Sequence, residues 1–236
     1  MLLVFAGPHD QTAQALVRRW RNHDARLLTC RDLSNAGWRY YPHDLQASRA
    51  SVGGQVVRFS EIEGVLTRLP CVTPHELPHI INAERNYVAA EMNAFLIAWW
   101  SSPLFSVVNR PTPLCLMGPN WRPEQWLHAA ARAGLRTSRS TSFIKLQPST
   151  RQATTAAASG VAATVVGSHC FGAIDEDLAA RACRLAELAG VELLTVQFSG
   201  SGPDADFLGA YLGADVSQNN VADALLHYFQ SSVALR

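Results

Sequence analysis

A chain of 236 residues that is 48% hydrophobic and 17% charged can bury one large core or two small ones, which excludes a disordered or fibrous protein. Its formal net charge of +1 gives no electrostatic case for nucleic acid or an anionic membrane as a partner. The five cysteines (Cys30, Cys71, Cys115, Cys170 and Cys183) are scattered and form no CxxC pair, so they read as reduced, mostly buried thiols of a cytoplasmic protein rather than a disulfide framework or a zinc site.

Leu2 to Ala6 is a continuous apolar run, as expected of a central strand buried on both faces. It lacks a basic leader and breaks at Gly7-Pro8, so it reads as a first strand rather than a signal peptide. The turn Gly7-Pro8-His9-Asp10 leads into a helix from about Thr12 to Asn22, with Ala13, Leu16, Val17 and Trp20 on one face. A strand at Ala25 to Thr29 completes a β-α-β opening, the unit of a parallel sheet. Gly53-Gly54 ahead of Val56 and Arg58 predicts a short hairpin or edge strand. Gly64 to Arg68 is another strand, followed by a proline-punctuated loop from Pro70 to Pro78, a long helix from about Asn82 to Trp100, and a strand at Leu104 to Asn109. Within that helix, Ala94 to Trp100 is too short to span a bilayer and reads as core. Residues 1–110 thus form an open α/β domain.

Residues 111–236 form a second domain. Its helix from Pro123 to Ala133 has proline in the first turn and Gly134 just past the end. Ser138 to Thr155 is rich in Ser, Thr and Gln. A strand follows at Val161 to Gly167, with His169 to Ala173 as its hairpin partner. Then come a helix from Asp177 to Ala189 stopped by Gly190, a strand at Val191 to Ser199, a turn at Gly200 to Pro203 and a strand at Phe207 to Leu212. A last helix from Val221 to Phe229 is capped by Asn219 or Asn220.

Several residues invite a chemical reading. His9 and Asp10 sit where a first strand delivers its loop to the carboxyl edge of a sheet, so they form either a binding pair or a turn in which Asp10 caps the next helix. His75 and His79 have the spacing of a metal helix, but Pro74 and Pro78 break the helix that spacing needs, which leaves a loop. His169 and Cys170 are neighbours on a strand and point to opposite faces, so they do not make a base and nucleophile pair. Trp99, Trp100 and Phe95 form a core or interface stripe, and six tryptophans favour a sizeable buried interface. There is no GxGxxG fingerprint for a dinucleotide.

The segments Val108-Asn109-Arg110-Pro111 and Gly118-Pro119-Asn120-Trp121, the helix behind them and Gly134-Leu135-Arg136-Thr137 resemble the entry into the nucleotide-binding half of an ATP-grasp ligase. Val165-Val166-Gly167, Gly190 to Phe198 and the Asn220 to Leu226 helix continue that resemblance in order. The nearest relatives it implies are ligases that modify peptides or ribosomal proteins, including macrocyclising ones. Those enzymes make an acyl-phosphate from a carboxylate, using lysines on the triphosphate, acids and an asparagine on magnesium, and a flexible glycine-rich lid. This chain departs from each requirement. Trp121 stands where the first lysine is expected, and Lys145, the sole lysine, is the only candidate for the second. Gln197-Phe198 replaces an Asp-Phe pair, and Phe207 to Leu212 lacks the Glu-x-Asn of the metal site. The interval from Lys145 to Val161 is too short for a lid.

The resemblance therefore implies an α/β fold with an N-terminal open parallel sheet and a truncated ATP-grasp-like α+β half without its lid. The expected function is a catalytically silent ATP-grasp-like protein. It acts by binding, as the partner of an active ligase or as a peptide carrier in a modification pathway, with no catalytic residue, metal or cofactor and a homodimer by analogy. An active, atypical ATP-dependent carboxylate-amine ligase is the competing expectation, with ATP, Mg²⁺ and Lys145 in the nucleotide site. A small-molecule binding module is the third, near His9, Arg68, Asn109 and Arg110. Arg68 lies where related ligases place an arginine that would hold a substrate carboxylate through a bidentate contact.

Overall fold

The structure is a computed structural model that describes residues 1–137 and 160–234. It divides into two compact units. The first is Met1–Gly118 together with the chain from Phe229 onward, and it holds β1 (Leu2–Phe5), α1 (Gln11–Arg19), β2 (Ala25–Leu28), β3 (Arg49–Val52), β4 (Gln55–Arg58), β5 (Gly64–Thr67), α2 (Arg85–Trp100) and β6 (Ser106–Val108). The second, Pro119–Tyr228, holds α3 (Pro123–Arg132), β7 (Arg136–Thr137), β8 (Val161–Val166), β9 (His169–Phe171), α4 (Glu176–Ala189), β10 (Leu193–Phe198) and β11 (Asp206–Tyr211). The last helix, α5 (Asn219–Ala234), belongs to the second unit up to Tyr228 and to the first thereafter.

In the first unit four parallel strands lie in the order β2-β1-β5-β6, and β3 and β4 make a separate antiparallel hairpin. The apolar run of β1 is buried throughout, because both sheet faces are covered. Leu3, Phe5, Val65 and Val107 share one core with Leu96, Trp99 and Trp100 of α2. Leu2 alternates to the other face beside Gly64, and there Phe229 packs so tightly that a Cβ on Gly64 would overlap its ring. Trp20 meets the same ring edge-on, with centroids 6.2 Å apart.

The second unit is a five-stranded sheet in the order β7-β11-β10-β8-β9, antiparallel except where β7 joins β11. Ala163, Val165, Leu194, Val196, Phe198 and Phe207 point to one face, packed against Trp126, Ala129 and Ala130 of α3 and Leu178, Ala182 and Leu185 of α4. Local signals end the helices as expected. Pro123 opens α3, and Gly134 follows it with φ 85°. Asp175 caps α4 through the Asp177 N–H, and Gly190 stops it at φ 64°.

Four details differ from the sequence expectations. α2 begins at Arg85 because Asn82–Glu84 winds as a 3-10 turn first. α1 ends at Arg19, and a second 3-10 turn, Arg21–His23, closes on Asp24 in the left-handed region at φ 47°. In α5 the Gln218 carbonyl accepts from the Ala222 N–H at 3.0 Å, which moves Asn219 and Asn220 from the cap into the first turn. The tryptophans also do not gather at a surface. Trp20, Trp99 and Trp100 are at most 1% exposed, inside the first unit's own packing, so these three serve its core rather than an interface. Among the described residues, no helix is long and apolar enough to cross a membrane. Lys145, the Ser138 to Thr155 segment and the interval expected to lack a lid lie outside the described residues.

Candidate functional site

The chain leaves β1 for β2 on one side of the sheet and later returns to β5 on the other, so the strand order reverses between β1 and β5. Loops diverge at such a point and leave a crevice at the carboxyl ends of the strands. Asp10 stands there at the end of the β1 loop. One of its carboxylate oxygens accepts the Ala13 N–H at 2.9 Å and caps α1. Its other oxygen accepts from Arg68 Nε at 2.7 Å, while Arg68 Nη2 donates to the first at 3.4 Å. The two side chains are only 20% and 13% exposed, so this side-on pair is held in a partly dry setting.

The sequence candidates fall along this edge in strand order. His9 is exposed on the β1 loop, next to the Asp10–Arg68 pair. Asn109 ends β6; it is 2% exposed and takes a left-handed backbone at φ 56°. Arg110 is exposed, but its guanidinium donates to the Trp100 and Ser102 carbonyls, each at 3.4 Å. That contact caps the carboxyl end of α2. His9, Arg68 and Asn109 are thus brought to one edge.

Two features of this edge escaped the sequence. Asp10 and Arg68 were each legible alone, but only the β1–β5 pairing shows that they hold one another. The Glu76 carboxylate also reaches the edge, with Oε2 3.7 Å from where a Gly7 Cβ would stand. Burial first, and the Glu76 charge second, push the Cys30 thiol up to about 12. His79 Nε2 lies 2.9 Å from Ser34 Oγ. Burial, then Arg31 and Arg85, hold its pKa below the ordinary histidine range.

The second unit presents a different surface. Residues facing one another across strands share a face, and Thr195 pairs with both Thr164 and Tyr211 while Gln197 pairs with Gly209. These residues lie opposite the apolar face that α3 and α4 cover. The Thr164 and Thr195 hydroxyls are 3.3 Å apart and buried. Burial pushes the Tyr211 phenol up, a hydrogen bond with Thr195 works against it, and Asp215 adds to the rise. Thr164, Thr195, Gln197, Gly209 and Tyr211, in the middle of this face, are uncharged side chains or a bare backbone. Two acids flank them: Asp206, which alternates with Phe207 on β11, pairs with Arg136 at 3.6 Å, and Asp215 accepts from the Ser217 backbone N–H at 3.1 Å.

Comparison with known proteins decides the fold. Over 97% of its length the chain superimposes on 98% of the ATP-grasp ligase PsnB, solved with a minimal precursor, Mg and ADP, at a TM-score of 0.64 and 14% identity. The fold is ATP-grasp-like. It is equally similar to the macrocyclase MdnC of Microcystis aeruginosa MRC, solved with precursor peptide MdnA, at a TM-score of 0.68 and 11% identity over 98% of this chain and 99% of that one. A RiPP-associated ATP-grasp ligase of Chryseobacterium gregarium, solved with ADP and a leader and core peptide, matches at a TM-score of 0.59 and 8% identity over 98% and 96%. No protein-family model and no curated protein matches the sequence. The ATP-grasp-like assignment therefore rests on the course of the backbone.

Proposed function

We propose that this chain is a peptide-binding, ATP-grasp-like protein of a peptide-modification pathway, and that it binds without phosphoryl transfer. Similarity to ligases solved with precursor peptides supports the peptide. The loss of transfer chemistry rests on one observation, the lack of a carboxylate among the paired residues of β10 and β11 from Thr195 to Gln197. Mg²⁺ takes hard oxygen ligands, usually carboxylates with phosphate oxygens and water, in near-octahedral geometry. Gln197 opposite Gly209, and Thr195 opposite Tyr211, offer an amide, a bare backbone, a hydroxyl and a phenol. These groups do not fit a magnesium-bound triphosphate. The competing ligase reading keeps only Lys145, whose place is outside the described residues.

The carboxyl edge of the first unit supplies the binding groups, with Arg68 as the cation for an acidic side chain and His9 and Asn109 beside it. Asp10 competes with an incoming carboxylate for the side-on edge of that guanidinium. The test is thermal unfolding of the full chain with MgAMPPNP, and separately with a synthetic peptide rich in Asp and Glu. The peptide raises the Tm by mass action, and the nucleotide leaves it unchanged at millimolar concentration. A shift of several degrees with MgAMPPNP overturns the silent reading; no response to the peptide overturns the binding one.

A further inference from the structure

Cys71 and Cys115 lie on the two sides of a backbone clasp. The Leu116 N–H donates to the Pro70 carbonyl at 2.7 Å, so each cysteine is the chain neighbour of a bonded residue. Cys115 is itself fixed, because it exchanges backbone hydrogen bonds of 2.9 and 3.2 Å with Thr112 around the exposed Leu114. Cys71 is exposed and Cys115 is buried. Burial, and among its neighbours the Cys71 sulfur, push the Cys115 thiol up, with the Met117 N–H pulling the other way. We infer that Cys71 and Cys115 are a modification site, an exposed attacking thiol and a buried resolving thiol that close to a disulfide in the presence of a low-molecular-weight disulfide oxidant.

The step balances with oxidised glutathione as that oxidant. The Cys71 thiolate attacks one glutathione sulfur, its S–S bond breaks, and one glutathione thiolate leaves. Cys115 sulfur then attacks Cys71 sulfur in the mixed disulfide, and the second glutathione leaves. The protons of the two protein thiols end on the two released glutathiones, so two thiols are oxidised and one disulfide is reduced. The other cysteines lack this arrangement. Cys30 is buried in the core, and Cys170 and Cys183 approach one another with neither fully exposed to start the exchange. The bond would tie the loop that follows Arg68 to the segment that follows Asn109 and Arg110. It would also enclose α2 and β6 in a covalent loop, which raises the stability of the oxidised form.

The reduced full-length protein is treated with oxidised glutathione at pH 8, digested without reductant and read by mass spectrometry. A peptide joining Cys71 to Cys115 is expected, with a Tm above that of the reduced protein. In Cys115→Ser the glutathione stays on Cys71, persisting at least about tenfold longer than in the parent chain because nothing resolves it. In Cys71→Ser, Cys115 stays a thiol. A parent chain that keeps glutathione on Cys71 without a cross-link, or that joins any other pair of its cysteines, overturns the assignment.

Discussion

Asp10 serves two partners at once, the first turn of α1 and the Arg68 guanidinium. Asp10→Ala removes a cap and leaves a partly buried arginine without that carboxylate, a loss of about 2 kcal/mol or more by urea unfolding. Asp10→Asn keeps an oxygen for the Ala13 N–H and loses the charge, so it is expected to cost less and to bind an acidic peptide more tightly. If the two variants lose equal stability, the ion pair contributes nothing. His79 contributes to the pH dependence at this scale. Its folded pKa is depressed by burial and by Arg31 and Arg85, so the unfolded chain binds its proton first. Its contribution is present above the unfolded histidine pKa and lost as pH falls through the folded value. Urea midpoints measured across that range are expected to fall less steeply in His79→Gln. The candidate edge was half legible in the sequence. A strand followed by Gly-Pro-His-Asp announces a loop at a sheet edge, but nothing near Asp10 in the chain names Arg68 as its partner.

Among the elements, the helix stops were readable because they are local. Gly134 and Gly190 adopt left-handed backbone just past α3 and α4, where a glycine avoids the Cβ penalty. Gly64 is different. It opens β5 with an ordinary strand backbone, and its lack of a side chain is required by Phe229 in the last helix. Gly64→Ala is expected to destabilise by about 1–3 kcal/mol through overpacking, and Phe229→Leu in the same chain to recover part of it. A double-mutant cycle measures the coupling; strictly additive losses would show that the ring moves aside freely. The buried Thr164–Thr195 pair makes a sharper case. Thr164→Val alone leaves Thr195 its hydrogen bond with Tyr211 and is expected to cost about 1 kcal/mol, whereas replacing both by valine also strips the Tyr211 phenol of that bond and is expected to cost more, read by urea unfolding.

Across the whole molecule, α5 begins in one unit and ends in the other. A chain ending at Tyr228 loses Phe229 from the first unit and keeps the buried Val221, Ala222 and Leu225. Hydrogen exchange is expected to speed up in β1 and β5 and to hold in β8 and β10. Equal protection of both sheets in the shortened chain would deny that the last helix supports the first unit. The sequence by itself determined the elements, since apolar runs, helical periodicity, caps and glycine stops act over a few residues and need no partner. Only the tertiary structure decided which of those residues meet. Strand order set Arg68 against Asp10, register placed Thr195 beside Tyr211 and Gln197 beside Gly209, and the last helix laid Phe229 over Gly64. Such contacts join residues far apart in the chain, and pairing and packing, rather than local pattern, carry that information.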